Sequence, residues 1–363
     1  MNGQTQRAIE TCEKNEAALF DASANPRIDV PFEGAMRIFD LHCDTLDRLA
    51  LHASKEYPPF APQDKAVPHE RMSSLVDNDA HISLDVIGAY AWCQCFAVFV
   101  PDELRGDAAW DFFEYVRAYF DAQMAAHANR VEQVRDARRI PEVLESGKTA
   151  ALLTVEGGAF FDGTSLERIE RIAQAGVRML TLTWNGENAV GSGHDTTQGL
   201  TAYGKRVVAA LEGEKIVVDV SHLNDRGFSD VCDVATRPFA ASHSNARAVC
   251  GHKRNLTDAQ IRAIAEAGGI VGLNFCTQFL SEAHADPSRD DVLRHIDRIC
   301  EVGGEDVLAL GSDYDGCDVP SWLVPASKVG SLHALIADHF GRRMADKACF
   351  DNALAFFERN EVL

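Results

Sequence analysis

Eight short apolar runs recur along the chain, at 38–43, 90–100, 150–155, 177–183, 216–221, 239–242, 269–275 and 307–311. Helical patterns fall between most of them. Several runs are almost wholly apolar, as strands buried on both faces are. Such strands alternating with helices build a parallel sheet, and eight of them predict an α/β fold of the (β/α)8 TIM-barrel type. An open doubly wound sheet generally has fewer strands, and no Gly-x-Gly-x-x-Gly follows the first run.

The intervening helices carry start and stop signals. Thr164 and Glu167 read as a capping box, followed by Ile169, Ile172 and Ala173 on one face and a stop at Gly176. Thr257 with Gln260 and Ser288 with Asp291 repeat the pattern, ending at Gly268-Gly269 and Gly303-Gly304. The stretch 107–139 reads as one long helix or two short ones, and 331–360 as terminal helices. Residues 1–36 precede the first strand and are expected to form a helical arm packed on the barrel. Residues 37–363 then form the catalytic barrel with its terminal helices. The Pro-rich segment 57–68 reads as a loop. A barrel of this size is consistent with 363 residues in one domain.

Lysine and arginine number 35 against 55 aspartates and glutamates, a formal net charge of -20. That field repels a phosphate backbone, so nucleic acid is not an expected partner. No apolar run approaches the roughly 18 residues of a membrane helix. The first twenty residues carry Glu10, Glu13 and Glu16 and no apolar stretch, so neither a secretory signal nor a membrane partner is expected. The ten cysteines are scattered, without a Cys-x-x-Cys, which fits reduced thiols in the cytoplasm better than a disulfide framework. Barrel enzymes often pair, so a homodimer stays open.

In a barrel, chemistry sits at the C-terminal ends of the strands. Here those ends carry His42-Cys43-Asp44, Glu156-Gly157-Gly158, Asp219-Val220-Ser221-His222, Ser242-His243-Ser244 and Gly311-Ser312-Asp313. His42 and Asp44, two apart, share a face. Imidazole nitrogen and carboxylate oxygen are zinc donors. A lone histidine at a strand end is usually a hydrogen-bonded core residue, but His222 and His243 occupy equivalent places on neighbouring strands. Together the four strand ends point to a metal site. Glu156 has two oxygens and suits a bridge between two ions, which then have three protein ligands each. Asp313 reads equally as a proton carrier or as a turn residue before Asp315-Gly316. Arg254, in Gly251-His252-Lys253-Arg254-Asn255, reads either as a carboxylate grip or as part of a solvated basic patch with Lys253.

The ordered set resembles the membrane dipeptidase family, renal dipeptidase and its bacterial relatives. The resemblance runs from about residue 39 to 352. It is carried by Asp40-Leu41-His42-Cys43-Asp44, Glu156-Gly157-Gly158, Leu180-Thr181-Leu182-Thr183-Trp184-Asn185 and Gly199-Leu200-Thr201-Ala202-Tyr203-Gly204. It continues through Asp219-Val220-Ser221-His222, Ser242-His243-Ser244-Asn245-Ala246, Arg254-Asn255-Leu256-Thr257-Asp258, Asp313-Tyr314-Asp315-Gly316 and Asn352-Ala353-Leu354. The resemblance implies a metal-dependent hydrolase barrel with two Zn²⁺. One is held by His42, Asp44 and Glu156, the other by Glu156, His222 and His243. Such ligands also accept Mn²⁺, Co²⁺ or Fe²⁺. It further implies that Arg254 binds the free carboxylate of a dipeptide and that Asp313 carries the proton. The reaction implied is hydrolysis of dipeptides, including those with a C-terminal D-residue, by a metal-bridging hydroxide.

One position departs from the family pattern. Renal-type members have a histidine against the substrate where this chain has Trp184. An indole can donate a hydrogen bond but cannot exchange a proton in the same way. His194, in the following loop, is a candidate to serve instead. The departure keeps open an amidohydrolase acting on another small amide, an N-acyl amino acid or a lactam. A non-catalytic binding protein is the other alternative, and the complete donor set argues against it.

Overall fold

The computed structural model describes residues 35–52, 54 and 72–362. Most of the expected arm over 1–36, and the 57–68 loop, lie outside the described residues. The strands are β1 (Arg37–Cys43), β2 (Ala91–Phe99), β3 (Val131–Gln133), β4 (Thr149–Glu156) and β5 (Val177–Thr181). They continue with β6 (Val217–Asp219), β7 (Ala240–Ala241), β8 (Ile270–Leu273) and β9 (Leu308–Leu310). All eight expected strands are present, and every pairing is parallel. Pairing runs from β2 through β1, β9, β8, β7, β6 and β5 to β4, and β4 pairs back onto β2. Eight strands thus close into a barrel.

The additional strand, β3, falls where the sequence reads as helix. That stretch is helix Gly106–Ala126, then β3, a 3-10 turn Ala137–Arg139 and helix Ile140–Glu145. The reason lies in β4. Its first residues, Thr149–Ala151, pair with β3, whereas β5 joins only from Leu153 onward. The early edge of β4 would otherwise leave backbone groups unpaired. A second difference is at Thr164. The helix there begins at Glu167. Asp162 Oδ1 accepts from Thr164 N (2.7 Å) and Ser165 N (2.9 Å), making a turn before the helix starts. The capping boxes at Thr257 and Ser288 form as expected, and Gly176 ends its helix at φ +89°.

The barrel interior is apolar at its lower end, where Phe39, Leu41, Cys93, Cys95, Leu152, Met179, Val217, Ile270 and Ala309 pack together. Phe350, Phe356 and Phe357 close that end, with Phe357 stacked on Phe39 at 5.5 Å between centroids. The plug leaves the opposite end as the open mouth.

Strand β1 contains an irregularity that sets up the site. Asp40 is paired with Gln94, but Cys43 with Phe96, so one extra residue is inserted in β1. Before the insertion, Phe39 and Leu41 face the interior cluster; after it, Cys43 joins the outer cluster. A bulge of this kind re-aims the side chains that follow it. It turns His42 toward the barrel mouth, where unbroken alternation from Leu41 would turn it outward.

Candidate metal centre at the barrel mouth

Five strand ends deliver buried polar side chains to one point. Glu156, the last residue of β4, is at the centre. Its Oε2 lies 3.4 Å from His42 Nε2, and its Oε1 lies 2.7 Å from His222 Nε2 and 3.6 Å from His243 Nε2. On the His42 side, Asp44 Oδ2 is 3.6 Å and Asp313 Oδ1 3.9 Å from the same Nε2. The rings of His42 and His243 stack at 3.9 Å. His222 (φ +69°) and Asp313 (φ +60°) both hold the left-handed backbone conformation, uncommon for side-chain-bearing residues and concentrated at functional sites.

The histidines are oriented from behind. Asp219 accepts the backbone N–H groups of Ser221 (3.0 Å) and Ser242 (2.9 Å) on Oδ1, and the hydroxyls of Thr181 (2.6 Å) and Ser242 on Oδ2. Ser242 Oγ spends its one O–H hydrogen on the Asp219 carboxylate, so toward His243 Nδ1, 2.7 Å away, it can only accept. His243 therefore carries its hydrogen on Nδ1 and presents a bare Nε2. Asn185 Oδ1 does the same for His222, accepting from Nδ1 at 2.9 Å. Sequence reading gave Asn185, Ser242 and Asp219 no role, although all three stand inside motifs it singled out. Their signal was the polar residue beside or across from each histidine at a strand end.

Two bare imidazole nitrogens, His222 Nε2 and His243 Nε2, then face each other at 3.0 Å beside a carboxylate oxygen. No proton lies between them, and a cation is what reconciles three lone pairs at that spacing. His42 Nε2 and Asp44 Oδ1 are buried without a hydrogen-bond partner, where natural structures seldom leave polar atoms. Gly316 completes the cradle: a Cβ there would stand 2.0 Å from Asp44 Oδ2 and 2.4 Å from Asp313 Oδ1. The donor triads His42–Glu156–His243 and His42–Asp44–Asp313 each have a ligand atom within reach of a single ion.

Electrostatics agree. Burial and the neighbouring Glu156 push Asp44 up to about 7. Burial, then Arg254, holds His222 down at about 4, and burial with His42 lowers His243. Burial opposes charge on His42 and on Glu156 too, but neighbouring groups outweigh it: Glu156 and then Asp44 raise His42, while His222 and then His42 lower Glu156. The carboxylates crowd without enough positive charge, a deficit that divalent cations fill.

Arg254 is buried, so the solvated-patch reading fails for it. Lys253 alone is on the surface, paired with Asp195. The guanidinium donates to the His243 carbonyl (3.3 Å) and lies over Phe279, while its Nε has no partner. Trp184 is half-buried, packs edge-on against Phe99 at 4.9 Å and lies 6.4 Å from the His222 ring. The His194 side chain is 9% exposed, its ring 5.9 Å from that of His222, and its Nδ1 is buried without a partner. Burial, then Arg254, holds His194 down at about 3, so it stays neutral at ordinary pH.

A closed parallel barrel with imidazoles and carboxylates converging at its mouth defines a metal-dependent hydrolase. Comparison with known proteins narrows this. The family described as membrane dipeptidase (peptidase family M19) matches residues 34–362, and the chain belongs to it. It is a metallo-dipeptidase, a hydrolase of peptide bonds. An uncharacterized protein in the pqqA 5' region of Klebsiella pneumoniae is 38% identical over 248 residues, 64% of this chain and 90% of that protein. The crystal structure of a metallo peptidase from Rhodobacter sphaeroides, liganded with a phosphinate mimic of the dipeptide L-Ala-D-Ala, superimposes with a TM-score of 0.80. It is 28% identical, over 90% of this chain and 99% of that one. The dipeptidase AC structure, a metallo peptidase of the same family, also gives 0.80, at 29% identity and the same coverage.

Proposed function

We propose that the protein hydrolyses dipeptides with two zinc ions at this centre, including dipeptides with a C-terminal D-residue. The observation that carries the reading is the division of Glu156, one oxygen toward His42 and the other toward His222 and His243. His42, Asp44 and Glu156 would hold one ion, and Glu156, His222 and His243 the other. When bound, two such ions supply an activated water and a Lewis acid for the scissile carbonyl.

The chain's own residues do the rest. Asp313, with Oδ1 facing the centre, takes a proton during attack and returns it to the leaving amine. Arg254, desolvated and with Nε unpartnered, grips the substrate's free carboxylate and so restricts substrates to short ones. Trp184 and His194 flank His222. Trp184 walls the substrate side, and His194 offers a neutral ring nitrogen to it in place of the histidine of renal-type members. The phosphinate dipeptide mimic held by the Rhodobacter sphaeroides relative supports acceptance of a D-residue. The nine cysteines among the described residues are all free, which supports a reducing compartment such as the cytoplasm.

The test is dipeptide hydrolysis over an L,L and L,D panel, on chelator-stripped protein titrated with zinc. Activity returning as about two ions bind per chain is the expected result. Two bound ions without cleavage of any dipeptide would overturn the substrate and favour another small amide, with Trp184 as the residue responsible. Full activity at one ion would overturn the dinuclear centre.

A further inference from the structure

Asp313 sits in a left-handed backbone conformation, past the end of β9 and beside the isolated parallel bridge between Cys43 and Tyr314. Its backbone N–H donates to the His42 carbonyl at 3.2 Å. Asn274 donates a hydrogen bond to the Asp313 carboxylate, from Nδ2 to Oδ2 at 3.0 Å. Asn274 follows directly on β8 and is fully buried. The same Nδ2 donates to the His243 carbonyl at 3.2 Å, the carbonyl that also receives Arg254.

Every other polar group of Asn274 is used as well. Its Oδ1 accepts from Cys276 N at 2.6 Å, its N–H donates to Asn245 Oδ1 at 3.0 Å, and its carbonyl accepts from Asn245 Nδ2 at 2.9 Å. The side chain therefore cannot turn over: reversing the amide would set Oδ1 against a carboxylate and a carbonyl, and Nδ2 against an N–H. With Oδ2 held in this way, Oδ1 is the oxygen left to face His42 and the cradle at Gly316.

We propose that Asn274 is a positioning residue for the reaction. It selects which oxygen of Asp313 meets the reacting atoms, and through the His243 carbonyl it ties that oxygen's place to the Arg254 grip. The inference rests on the reading of Asp313 as proton carrier. Rotational freedom regained by Asp313 lowers the fraction of complexes in which Oδ1 is aligned, so the loss falls on kcat rather than on KM.

Two variants separate positioning from mere structure. Asn274→Asp keeps the acceptor for Cys276 N and loses the donor to Asp313; Asn274→Ala loses both. Each is made in the wild-type and in the Asp313→Asn background, with bound zinc measured by elemental analysis. Asn274→Asp should lower kcat on the order of 10- to 100-fold, with KM changed less than about threefold and zinc content kept. In the Asp313→Asn background, either change at Asn274 should alter kcat less than about twofold, since the proton-carrying carboxylate that it aligns is already gone.

An Asn274→Asp enzyme with wild-type kcat would overturn the proposal, leaving Asn274 as a brace for Cys276. A loss of equal size in both backgrounds would also overturn it. If Asn274→Asp does not fold, the Asn274→Ala cycle decides by the same criterion. Near-normal turnover of Asp313→Asn alone would instead remove the reading of Asp313, and this proposal with it.

Discussion

Asp219 touches no substrate and is expected to hold no metal, yet replacing it by asparagine should damage the centre. The side chain is fully buried and accepts four hydrogen bonds, two from backbone N–H groups and two from hydroxyls. Asparagine has the same shape but one end that only donates. Turning that end toward the backbone would orphan two buried N–H groups, at roughly 1–3 kcal/mol each. The amide oxygen must therefore stay on the N–H groups and the NH₂ must face the hydroxyls. Ser242 Oγ then accepts from asparagine and donates to His243 Nδ1. That moves the imidazole hydrogen onto Nε2, the atom facing Glu156 and His222. A protonated Nε2 cannot bind a cation. The loss is expected in the range of broken outer partners of metal ligands, about 10- to 100-fold in affinity, or roughly 1.4–2.8 kcal/mol. Competitive zinc titration against a chelator measures it, and the loss should fall on one ion of the two. Wild-type affinity for both ions in a folded Asp219→Asn protein would refute the tautomer argument.

Four further outcomes follow from the same geometry. Asp313→Asn should lower turnover by about 10²- to 10⁴-fold with metal content unchanged, read by steady-state kinetics beside elemental analysis. Arg254→Ala should raise KM for free-acid dipeptides on the order of 10- to 100-fold and leave C-terminally amidated analogues nearly unaffected; an equal loss for both would remove the carboxylate role. Gly316→Ala puts a methyl group between Asp44 and Asp313, so the protein should fold, by circular dichroism, but bind zinc weakly. His295 lies away from the centre, with Nδ1 accepting from Ala246 N and Nε2 donating to the Leu280 carbonyl, and burial holds it down at about 4 against 6.5 when exposed. The unfolded chain binds the proton first. The His295 contribution is therefore fully present above pH 6.5 and is lost as pH falls toward 4, by up to roughly 3 kcal/mol. Urea unfolding of metal-free wild type and His295→Gln at pH 7 and pH 5 checks this, since the variant should lack that share of the acid sensitivity.

The eight strands could be read because each is a buried apolar run, and the donors because each follows such a run directly. The strand β3 could not be read this way. Val131-Glu132-Gln133 has no periodicity of its own and forms a strand only because the first residues of β4 have an unpaired edge beside them. At Thr164 local competitors win: the Asp162 carboxylate takes the Thr164 N–H, and Ser165 Oγ takes the Glu167 N–H that a capping box would use. The residues alone left Arg254 open between a carboxylate grip and a solvated patch, because sequence does not show that the side chain turns inward over Phe279.

The orienting groups behind the histidines were hidden for a different reason. Asp219, Ser242 and Asn185 act across strands, and their roles depend on register. A spacing argument finds donors along one chain segment but not the carboxylate 23 residues earlier that settles where a proton sits. The bulge in β1 makes the point most sharply. Strict alternation groups His42 with Ile38 and Asp40, and in this barrel Ile38 faces the outer layer. Only the residue inserted between Asp40 and Cys43 moves His42 to the inner face, where Glu156 stands. A β1 without that irregularity would keep the His-x-Asp spacing and lose the site. Adjacent strand ends can share one metal centre here because β1 breaks the period that makes it readable as a strand.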